Sequence, residues 1–158
     1  MFAKDVYVRR RAKLMRDVKE GIILLLGNGE APCNYKDNTY KFRQDSTFLY
    51  FAGLNDPDFA LVLDVASGEE ILFGNDVDID DIIWMGPQPS VKEKAELAGI
   101  SGSRSFGELE GYLKSKVESG CKVHFLPPYR HRTMIQLHQY FGVPFAGMKE
   151  VALAELIK

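Results

Sequence analysis

The sequence predicts an α/β domain built on a mixed, largely antiparallel-paired sheet with helices on both faces. Three observations carry this. Ile22 to Leu26 is an unbroken aliphatic run closed by Gly21 and Gly27, the pattern of a strand buried on both faces. Phe59 to Asp64 and Glu70 to Phe73 are apolar segments joined by the turn sequence Ala66-Ser67-Gly68, and so short a connection makes neighbours antiparallel. From Ser90 onward, helical and strand patterns alternate, as in a sheet with helices packed against it. At 158 residues with 46% hydrophobic content, the chain suits one core, and domains of about 100–200 residues make residues 1–158 a single domain.

The elements follow in order. Ala3 to Glu20 contains no Gly or Pro, and Tyr7, Arg11, Leu14 and Val18 fall near helical spacing, so this segment predicts an amphipathic helix ended by Gly21. Its cations, Arg9 to Arg11, Lys13, Arg16 and Lys19, fit a solvated helix face. After the first strand, Gly27-Asn28-Gly29 invites a phosphate-loop reading, but Pro32 replaces the third glycine and no helix follows. A plain loop is expected there. The aromatic-rich segment Thr47 to Ala52 predicts a strand, set off from Phe59 by the turn Asn55-Asp56-Pro57-Asp58. Ser90 caps a short helix to Ala98, Gly107 to Glu118 forms another, Val123 to Leu126 is a late strand, and Arg132 to Phe141 is a further helix. Val151, Leu153, Leu156 and Ile157 keep an apolar helical pattern to the final residue with no stop signal, which predicts a chain continuing into a further segment.

Composition removes several function classes. A net charge of -2 lacks the broad basic field of a nucleic-acid binder. No apolar run is long enough to span a bilayer and the N-terminus is not signal-like, so a cytoplasmic, soluble protein is expected. Cys33 and Cys121 stand alone without CxxC spacing and read as free thiols. His124 falls in an expected strand, and His131 and His138 lie on or near a helix without the carboxylate pattern of a metal hydrolase. Asp76-x-Asp78-x-Asp80-Asp81 fails as a calcium loop, with Asp81 at the position needing Gly and Pro87 at the position needing Glu. It fits an extended segment leading towards Trp84 better.

The richest segment is Asp37-x-x-Tyr40-x-Phe42-Arg43-Gln44-Asp45-Ser46-x-Phe48-x-Tyr50-Phe51-x-Gly53, followed by Asn55-x-Pro57-Asp58 and later by Ile83-Trp84-Met85-Gly86. With the leading helix and strand, it resembles the N-terminal domain of the Xaa-Pro aminopeptidase and prolidase family, and the resemblance covers nearly the whole chain. It implies a creatinase-like N-terminal domain that precedes a C-terminal pita-bread catalytic domain absent from this chain. That second domain would hold two divalent metals, usually manganese, and neither catalytic nor metal-binding residues are expected here. The implied substrate is a peptide with proline at its second position. The implied partners are the chain's own catalytic domain and further copies in a homo-oligomer. An acidic residue at the place of Asp37 would meet the free amino end of the peptide, a carboxylate on an ammonium, with an Asx turn as the plain alternative. Trp84 would wall the proline-side pocket or serve as a core anchor.

Arg43 is expected to be buried and held by Asp45 or by carbonyls, a structural pair rather than a chemical one. Tyr40, Phe42, Phe48, Tyr50 and Phe51 are expected to be mostly core. The sequence leaves open whether the parent is an aminopeptidase, a prolidase acting on dipeptides, or a stand-alone α/β binding module.

Overall fold

The computed structural model describes residues 2–77, 86 and 88–149, so Trp84, most of the Asp76 to Asp81 run and the terminal apolar pattern lie outside the described residues. The elements, in order, are α1 (Lys4–Val18), β1 (Ile22–Leu26), β2 (Pro32–Tyr35), β3 (Asn38–Thr39), α2 (Ser46–Ala52), β4 (Ala60–Asp64) and β5 (Glu70–Gly74). They are followed by α3 (Val91–Ala98), β6 (Gly102–Ser105), α4 (Leu109–Glu118), β7 (Val123–Phe125) and α5 (His131–Phe141), with short 3-10 turns at Phe106–Glu108 and Phe145–Lys149. Five strands form one mixed sheet in the order β6-β5-β4-β1-β7, while β2 and β3 make a separate hairpin.

The expected antiparallel core is present. β1 pairs with β4 in the register Ile22 to Asp64 through Leu26 to Ala60, and β4 pairs with β5. The two outer pairings, β1 with β7 and β5 with β6, are parallel. Alternation along the strands divides the interior into two layers. Ile23, Leu25, Leu61, Leu63 and Leu72 face one side with Leu14, Phe48, Phe51 and Ala95 of α1, α2 and α3. Ile22, Leu24, Val62, Ile71 and Phe73 face the other, with Leu109, Leu113 and Leu137 of α4 and α5.

Thr47 to Ala52 is a correction: it is helix, not strand. Asp45 caps it, its carboxylate accepting from the N–H groups of Thr47 and Phe48, both at 2.9 Å, and Gly53 closes it in the left-handed region at φ 72°. Phe48, Phe51 and Ala52 are its buried positions, a spacing of three and four that places one stripe on the core. Tyr50 is accordingly exposed, as is Tyr40 in the loop after β3, so the aromatic cluster is only partly core. Gly53 also lets α1 approach, since a Cβ there would stand 2.4 Å from the Tyr7 ring.

The buried arginine is Arg11, not Arg43. Arg11 is 0% exposed and interrupts the apolar stripe of α1. Its Nε donates to Glu70 at 2.8 Å, and its two terminal nitrogens donate to the carbonyls of Phe51, Ala98 and Gly99. One guanidinium thus joins β5 to the C-terminal ends of α2 and α3. A fully desolvated cation persists only with such complete pairing.

Candidate functional site

Arg43, Gln44 and Asp45 of the richest segment meet Asn28 and Tyr129 beyond the carboxyl end of β1. Asn28 leaves β1 in the Gly27-Asn28-Gly29 loop. Its N–H donates to Gln44 Oε1 at 2.7 Å, and its side-chain nitrogen donates to the Arg43 carbonyl at 3.0 Å and to the Tyr129 hydroxyl at 3.3 Å. Gln44 is itself buried and uses its nitrogen on the Asp56 carbonyl at 2.7 Å. The Tyr129 hydroxyl donates to Asp45 Oδ2 at 2.9 Å. Three loops from distant parts of the chain are therefore tied by a network in which each buried polar group has a partner, the condition for such a network to hold position.

Arg43 is exposed, and its expected ion pair with Asp45 is not formed among the described residues. The backbone carbonyl of Arg43 takes part in the network, while Asp45 is occupied by helix capping and by Tyr129. Gln44, one residue along, fills the buried polar position instead.

Asp37 sits exposed in the two-residue turn between β2 and β3. The hairpin is set by the Tyr35–Asn38 pairing, by a hydrogen bond from Asn38 to Asn34 at 2.7 Å and, at its base, by the Tyr40 N–H donating to the Ala31 carbonyl at 2.9 Å. A hollow of about 580 Å³ runs beneath it, lined by Glu30, Pro32, Tyr35, Asp58 and Arg132 among others. Arg132 of α5 pairs with Asp58 there. A Cβ on Gly29 would displace the Arg132 guanidinium from its place beside the loop. A second, partly enclosed cavity of about 260 Å³ lies between the ends of β1 and β7, lined by Leu24, Leu26, Asn28, Asp45, Phe125, Tyr129, Thr133 and Leu137 among others.

Sequence reasoning passed over Asn28, Gln44 and Tyr129. Asn28 was legible as the single side chain between two glycines, while Gln44 sits between two charged residues, Arg43 and Asp45, that drew attention from it. Tyr129 follows Pro127-Pro128 and carries no signal of its own.

Among the described residues no three His, Cys, Asp or Glu side chains gather to hold a metal ion. His124 meets the Glu20 carbonyl at 3.0 Å and His138 the Val143 carbonyl at 3.1 Å, both contacts with backbone carbonyls. Asp76 accepts from the Val91 N–H at 2.6 Å, at the start of α3. Cys33 and Cys121 are free, and no described helix is long and apolar enough to cross a membrane.

The profile of the aminopeptidase P N-terminal domain family matches residues 7–124. This chain belongs to that family. A probable Xaa-Pro aminopeptidase of Talaromyces stipitatus is 30% identical over 117 residues, covering 72% of this chain and 23% of its own length. The low-pH form of Escherichia coli aminopeptidase P superposes with a TM-score of 0.76 at 24% identity, over 90% of this chain and 33% of that one. A zinc-substituted form of the E. coli enzyme bound to product gives a TM-score of 0.72 at 23% identity, over 89% of this chain and 33% of that one. The chain therefore spans about a quarter of the length of the curated relatives it matches. The structural matches establish the shared fold of the aminopeptidase P N-terminal domain.

Proposed function

We propose that this aminopeptidase P N-terminal domain is the non-catalytic part of a metal-dependent Xaa-Pro aminopeptidase. In this reading it shapes access to a reaction performed on a separate C-terminal domain. That domain would carry two divalent metals, manganese by the family resemblance, whose Lewis acidity would serve the hydrolysis. Residues 1–158 contribute substrate gating and contacts between copies of the enzyme. The observation that carries the reading is the position of Asp37 at the tip of a hairpin held at its base by the Tyr40 N–H on the Ala31 carbonyl. A carboxylate presented at an exposed loop tip is suited to holding the ammonium end of a peptide. Trp84 is proposed as the wall for the proline ring, an aromatic face against a pyrrolidine. Arg43 and Asp45 stay outside the chemistry, Asp45 as the cap that begins α2.

In the full-length enzyme, Asp37→Ala is expected to raise KM for Xaa-Pro peptides about tenfold or more with a smaller change in kcat, because it deletes substrate binding rather than a contact made only in the transition state. Steady-state kinetics on a peptide series checks this. Unchanged KM and kcat would reduce Asp37 to a turn residue.

A further inference from the structure

The cavity between the ends of β1 and β7 is left unused by the peptidase reading. These strands are parallel neighbours, and the chains that continue from them pack on opposite faces, through α2 after β1 and α5 after β7. Ligands in open α/β sheets bind in such a crevice. Its volume of about 260 Å³ falls just under the roughly 300–1,000 Å³ of pockets for drug-sized ligands, so a smaller molecule suits it.

The chemistry of the lining is specific. Leu24, Leu26, Phe125 and Leu137 supply an apolar wall, and Asp45 is the one charged residue lining it among the described residues. No cation pairs with Asp45 among them. Its Oδ1 accepts from the Thr47 and Phe48 N–H groups, while Oδ2 meets the Tyr129 hydroxyl. The hydroxyls of Thr47 and Thr133, which also line the cavity, make no hydrogen bond among the described residues. Arg130 and Arg132 line a neighbouring hollow instead, and Arg132 is paired with Asp58.

We infer that this cavity binds a small primary alkylammonium compound. The charged end sits on Asp45 Oδ2 and the hydrocarbon body lies against Leu24, Leu26, Phe125 and Leu137. An ammonium offers three donors and no acceptor, which the Asp45 carboxylate and the two threonine hydroxyls answer. Tyr129, a residue 68% exposed, acts as a latch. Its hydroxyl holds the carboxylate until a stronger, charged donor replaces it.

The test is titration of the 158-residue chain with isobutylammonium, isobutanol and isobutyrate, followed by the methyl resonances of Leu24, Leu26 and Leu137. Isobutylammonium is expected to saturate with at least about tenfold tighter binding than isobutanol, the advantage of a charge-assisted hydrogen bond. Asp45→Asn keeps a competent helix cap and should erase that preference. Tyr129→Phe frees the carboxylate and should tighten ammonium binding. Absence of a saturable shift, equal binding of isobutanol or isobutyrate to the unmodified chain, or an ammonium preference surviving in Asp45→Asn would each overturn the inference. None of these outcomes bears on the peptidase reading, which rests on Asp37.

Discussion

Arg11 shows how three adjacent arginines meet three fates. Arg9 is exposed. Arg10 lies over the Tyr50 ring at 3.8 Å, a cation–π stack. Arg11 is sealed inside with Glu70, 2.8 Å away. The run of charges suggested a solvated face, and the position of Arg11 on the stripe Tyr7, Leu14 and Val18 was the contrary signal. Arg11→Ala is expected to cost about 3–5 kcal/mol, because it leaves Glu70 charged and unpaired in the interior; equilibrium denaturation in urea measures it. A second buried acid behaves differently. Burial pushes the Asp64 carboxyl up, but Lys116 at 2.6 Å and the N–H groups of Ser67 and Ala66 more than offset it and hold it below the usual carboxylate range. A depressed folded value means the stabilisation is present above the unfolded value of about 3.9 and is lost as pH falls through the folded one. The same pair raises the Lys116 ammonium above its usual range, so its share is lost only as pH rises through that folded value. Unfolding free energy measured from pH 7 to pH 2 should therefore fall in acid, and Asp64→Asn should make that fall shallower. An identical acid limb in the variant would contradict the pairing.

The element that sequence reasoning misread is α2. Six residues rich in aromatics carry strand propensity, and over so short a segment the periods of strand and helix are hard to separate. The deciding information lay at the ends: Asp45 before Ser46 is a cap, and Gly53 is a left-handed stop. By contrast, α3 was readable because Ser90 and Glu93 form a complete capping box, and β1 because five aliphatic residues in a row admit few alternatives. The β2–β3 hairpin was not legible, since its residues are exposed and show no apolar alternation. Asp45→Ala is expected to destabilise the domain by about 1 kcal/mol and Asp45→Asn by only a few tenths. Thermal unfolding of the two variants side by side checks the capping role, and equal losses would refute it.

For the molecule as a whole, the two-layered core was visible in the continuous apolar runs of β1, β4 and β5, whereas the site was visible only as a list of polar residues. The network through Asn28, Gln44, Asp45 and Tyr129 joins positions up to 101 residues apart, and no local pattern announces such a meeting. What the network achieves is to tie together three loops at the end of the sheet. On this account the domain presents substrate and performs no chemistry. The most direct test is to purify residues 1–158 as a folded protein and assay cleavage of Xaa-Pro peptides with added manganese, with the full-length enzyme alongside. The account predicts turnover from the full-length enzyme and none from the isolated domain. Manganese-stimulated cleavage by the isolated domain would contradict it.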